Sequence, residues 1–127
     1  MKIKQTALIT GLFMLVSLLS FGQKKAWKEL DDYHSVMAQT FHPAEEGNLK
    51  PVMARSGELV AKAVALQKAA IPTDYQKEGV KQSIDLLAKE SAALDKLVQQ
   101  KKPEADIKKA ITALHDRFHE VMEKCEH

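Results

Sequence analysis

The side chains best suited to chemistry in this sequence are histidines, and two of them stand four residues apart near its end. The stretch LHDRFHEVMEKC, residues 114–125, carries His115 and His119, with Met122 and Cys125 behind them. A spacing of four sets two imidazoles on successive turns of one helix face. Neutral imidazole is a ligand for zinc, copper and haem iron. His34 lies in DDYHSVM and His42 in FHPAEEGN, where Glu45 and Glu46 add carboxylates. No serine or cysteine sits in a nucleophile turn, no glycine-rich loop cradles phosphate, and spacing singles out no acid pair. Binding is expected, not catalysis.

The first segment of the chain does not position these residues. Lys2 and Lys4 precede an uncharged apolar run over residues 7–21, with Ser20 and Gly22 at its end. That is the pattern of a secretory signal, too short for a transmembrane anchor, with cleavage expected after Gly22 and a periplasmic or extracellular destination. The other 105 residues form one domain with a single modest core. They carry 17 Lys and Arg against 17 Asp and Glu. The net positive charge therefore belongs to the leader, and nothing recommends nucleic acid or an anionic membrane as partner. One cysteine excludes an intramolecular disulfide framework.

Four segments carry a helical period. The first runs from about Ala26 to His42 with Trp27, Leu30, His34, Met37 and Phe41 as its stripe, ended by Pro43 and Gly47. The second opens at Asn48, tolerates Pro51 in its first turn, follows Leu49, Val52, Ser56, Leu59, Ala63 and Leu66, and stops at Ile71-Pro72. The third opens on TDYQ, a capping-box pattern of Thr73 and Gln76, and continues through Val80, Ile84, Leu87, Ser91, Leu94 and Val98. The fourth starts at Pro103, holds Glu104 and Asp106 where the helix dipole favours acid, and follows Ile107, Ile111, Leu114, Phe118, Val121 and Cys125. Strand signals are absent and the links are short. The sequence predicts an all-α, up-down-up-down antiparallel four-helix bundle.

On a helical wheel His34 falls within about 20° of the middle of its stripe, whereas His115 and His119 lie about 80° and 120° from theirs. His34 is expected to face inward and to need a partner. Antiparallel topology brings helix four past His34 near Arg117, so His34, His115 and His119 can meet at one level, with Glu58 on helix two beside them. A second constellation joins His42 and Glu46 to His115. Either would suit zinc, and Met37 or Met122 would favour copper or haem iron. The alternatives are a hydrogen-bonded core histidine at His34, a solvated helix edge at His115 and His119, and gap-filling methionines. Cys125, on the stripe, reads as a buried thiol.

With a methionine on helix one and histidines on helix four, the secreted bundle resembles the periplasmic cytochrome bundles, the b-type cytochrome and cytochrome c-prime. By that resemblance Met37 and His115 or His119 would be the axial ligands of a noncovalent haem. The c-prime pattern of two cysteines followed by histidine is missing, since the chain ends Lys124-Cys125-Glu126-His127, which speaks against covalent haem c. The stretches FHPAEEGNLKP and LHDRFHEVMEKC also resemble secreted bundle proteins of that superfamily without an assigned function. Three readings follow: a zinc or copper binder through His34, His42, Glu46, Glu58, His115 and His119; a haem b protein; or a structural bundle with an unknown protein partner.

Overall fold

A computed structural model describes residues 26–126; the apolar leader and its expected cleavage site lie outside the described residues. Four helices follow in order: α1 (Lys28–Glu45), α2 (Lys50–Lys68), α3 (Val80–Gln99) and α4 (Glu104–Glu126), with one 3-10 turn, Thr73–Tyr75, between α2 and α3. There is no strand among the described residues. Each helix packs closely on the next, and α4 returns to α1 through a lighter seam. The register is antiparallel: Ser56 of α2 donates to Asp95 of α3 at 2.7 Å, and further along α2 Gln67 donates to Asp85 at 2.9 Å. The up-down-up-down bundle predicted from periodicity is the fold. No helix among the described residues is long and apolar enough to cross a membrane.

Helix ends depart from the expected punctuation in three places. Pro43 does not end α1, which runs through it to Glu45. The stop comes from Gly47 in the left-handed region at φ 92°, where Gly47 N–H donates to Ala44 and Asn48 N–H to Pro43, closing a Schellman motif. The TDYQ box does not start α3 either. Thr73–Tyr75 forms a separate 3-10 turn, Gln76 donates its amide to the Ile71 carbonyl at 2.8 Å, and the helix begins after Gly79 at φ 86°. Asn48 is not the N-cap of α2, a place taken by Leu49, but it stands one residue earlier, where its side-chain oxygen accepts the Lys50 N–H at 3.2 Å.

The apolar face of α1 is turned by one residue from the predicted stripe. Tyr33, Val36, Met37, Thr40, Phe41 and Ala44 are buried, Leu30 is half-buried and His34 is exposed. The inward place assigned to His34 belongs to Tyr33, which is fully buried. The cause is chemical. Tyr33 buries a larger ring against Phe118 (centroids 5.4 Å apart), and its hydroxyl finds Ser91 Oγ at 2.9 Å across the bundle. An imidazole pointing the same way would bury less apolar surface and leave a second polar nitrogen to satisfy.

Candidate functional site

The two spaced histidines of α4 open onto the α1–α4 seam. Ile111, Leu114, Phe118 and Val121 point α4 into the core, which leaves His115 at its edge and His119 outside. The His115 ring lies flat on Phe41 of α1, centroids 3.7 Å apart and planes within 8°. Its side chain keeps 25% of its exposure. One turn on, His119 brings its Nε2 to 3.1 Å from His115 Nε2 with the rings inclined at 71°. In the absence of an ion one nitrogen donates to the other, which requires complementary tautomers.

Burial is the main reason that the His115 pKa sits below its ordinary 6.5, and the neighbouring His119 lowers it further. Asp116 and Glu45 pull weakly the other way, and His42 adds to the lowering. The fold therefore disfavours the charged form of His115. Two imidazole nitrogens each about 2.0–2.1 Å from a metal ion and 3.1 Å from one another subtend about 98° at the ion. That angle lies between square and tetrahedral. The 3.1 Å separation is compatible with both nitrogens reaching one ion.

The other predicted ligands are dispersed. His42 is exposed at the end of α1, its Nδ1 3.7 Å from Glu45 Oε1, so Glu45 and not Glu46 is the carboxylate beside it. Glu46 is exposed past the last turn of α1. Glu58 accepts both arms of Arg55, at 2.8 and 3.0 Å, while Arg55 also reaches Gln39 of α1. Its carboxylate is held as an anion, its pKa lowered by that hydrogen bond. His34 rests on Phe118 with centroids 5.0 Å apart. Along α1 its backbone stands two turns, about 10 Å, from that of Phe41, the residue under His115. Met37 is buried in the core and Met122 half-buried. Among the described residues no group of three or more His, Cys, Asp and Glu side chains is placed to hold a metal ion.

Comparison with family models, with curated proteins and with solved structures returns no match. The part that sequence reasoning missed is Phe41, which serves as a flat floor under His115. Its signal was available: antiparallel pairing places the upper end of α1, where Phe41 precedes His42, against the first half of α4.

Proposed function

We propose that this chain is a small metal-binding bundle of the periplasm or extracellular space, taking copper or zinc at His115 and His119. The observation that supports this reading is the 3.1 Å approach of the two Nε2 atoms. Burial disfavours the charged form of His115, which lessens competition from protons. Phe41 limits the rotation of that ring, so less freedom is lost when an ion binds. The extracytoplasmic location rests on the leader of residues 1–22. Haem draws no support from the placement of Met37, which lies among core side chains while His119 lies at the surface.

Between the two metals, copper(II) binds imidazole more tightly. Calorimetric titration of the tag-free protein starting at Gln23 tests the reading. Copper(II) and zinc should both bind, copper more tightly. Replacing an outer partner of a metal ligand costs about 10–100-fold in affinity, and His115→Ala or His119→Ala, which remove a ligand itself, should cost at least as much. His34→Ala should leave binding unchanged. Unaltered affinity in the double variant of His115 and His119 would remove the site from consideration.

A further inference from the structure

We propose that zinc joins two copies of this chain across a two-fold axis, each copy donating His115 and His119. This inference rests on the two-imidazole reading above and goes beyond it by naming the partner. Zinc in protein sites takes four ligands, and each copy presents two correctly spaced nitrogens on one face. Within the chain no third His, Cys, Asp or Glu among the described residues is placed to join them. A two-fold axis through the ion supplies the missing pair from an identical surface, the arrangement that an isologous dimer requires.

The surroundings suit that geometry. His119 is exposed at the outer edge of α4. On its outer face α1 carries a shallow depression lined by Asp31, His34, Ser35 and Ala38. Asp116 and Glu123 flank the pair on exposed positions of α4, and Glu45 stands at the end of α1. Two such acid-rimmed faces repel each other until a divalent cation lies between them. Association should accordingly depend on the ion.

Sedimentation velocity of the tag-free protein starting at Gln23, with and without zinc chloride, provides the test, with circular dichroism confirming that variants remain folded. The expected result is a doubled mass at one zinc per two chains, reversed by a chelator. His119→Ala should stay monomeric, while His42→Ala should dimerise like the parent. A monomer that binds one zinc per chain overturns the bridge and leaves the two-imidazole site standing. No zinc binding at all overturns both. A dimer that persists in chelator, or a zinc-dependent dimer that survives His119→Ala, overturns the bridging role of this pair.

Discussion

His115 is pressed against an aromatic ring and sits 3.1 Å from a second imidazole, so its charged form is disfavoured in the fold. The unfolded chain takes up that proton near 6.5, the ordinary value. Below that pH the unfolded state binds more protons than the native state, and acidification favours unfolding; above it both forms are neutral and this residue adds no pH dependence. The midpoint of urea unfolding should fall as pH drops from 6.5 towards 5. His115→Gln should flatten the decline over that interval, and an unchanged slope would show that His115 is not its source. Tyr33 supplies the contrasting case. Ser91 already donates to the Leu87 carbonyl at 2.7 Å, so the Tyr33 hydroxyl is the donor to Ser91, and Tyr33→Phe should cost about 0.5–1.5 kcal/mol. Exposed His34→Ala should stay within about 0.5 kcal/mol of the parent. Equal losses in the two variants would contradict the orientation of α1. The wheel misassigned these neighbours because Tyr33, Met37, Thr40 and Ala44 form a stripe as regular as Leu30, His34, Met37 and Phe41. What selects between them is Ser91 on another helix, a partner invisible to a single-helix pattern.

The helices themselves were legible because their apolar spacing runs for four or more turns, while their ends depended on single residues with competing uses. Pro43 lacks an N–H, yet the preceding turns already hold α1, and Gly47 supplies the left-handed residue at which the chain can turn. Gln76 had two possible backbone partners, and the Ile71 carbonyl took its amide. The α3–α4 link repeats the Gly47 solution with a less suitable residue. Lys101 adopts φ 54°, its N–H donating to Val98 and that of Lys102 to Leu97, so a side chain with a Cβ occupies the left-handed position of a Schellman motif. Left-handed backbone costs a non-glycine residue about 1–2 kcal/mol. Lys101→Gly should therefore raise stability by about 1 kcal/mol. Gly47→Ala should lower it by a similar amount, although a Cβ there meets nothing within 4 Å, because the penalty lies in the backbone. Chemical denaturation of both variants measures this, and a loss of stability in Lys101→Gly would refute the assigned turn.

Closure of the bundle depends on the seam between its first and last helices, the lightest of the four interfaces. Aromatic contacts cross it at two levels. Tyr33 and His34 both meet Phe118 in the middle and Phe41 stacks on His115 above, while below them Trp27 lies 5.3 Å from Tyr75 of the α2–α3 link. The 3-10 link reinforces the lower end, where Lys77 donates to the Glu126 carbonyl at 3.1 Å. At the upper level the Phe41–His115 stack, with centroids 3.7 Å apart, should be coupled energetically as well as geometrically. A double-mutant cycle with Phe41→Leu and His115→Gln isolates that term. Aromatic pairs contribute about 0.5–1.5 kcal/mol beyond area, and the partial exposure of His115 places the expected coupling at the lower end. Phe41→Leu combined with Tyr75→Leu, at opposite ends of the molecule, should be additive within about 0.5 kcal/mol. Coupling absent from the first cycle would mean that the two rings merely touch. In that event Phe41 would no longer explain how His115 is held in position for an ion, and the chelating pair would have to be ordered by the ion itself.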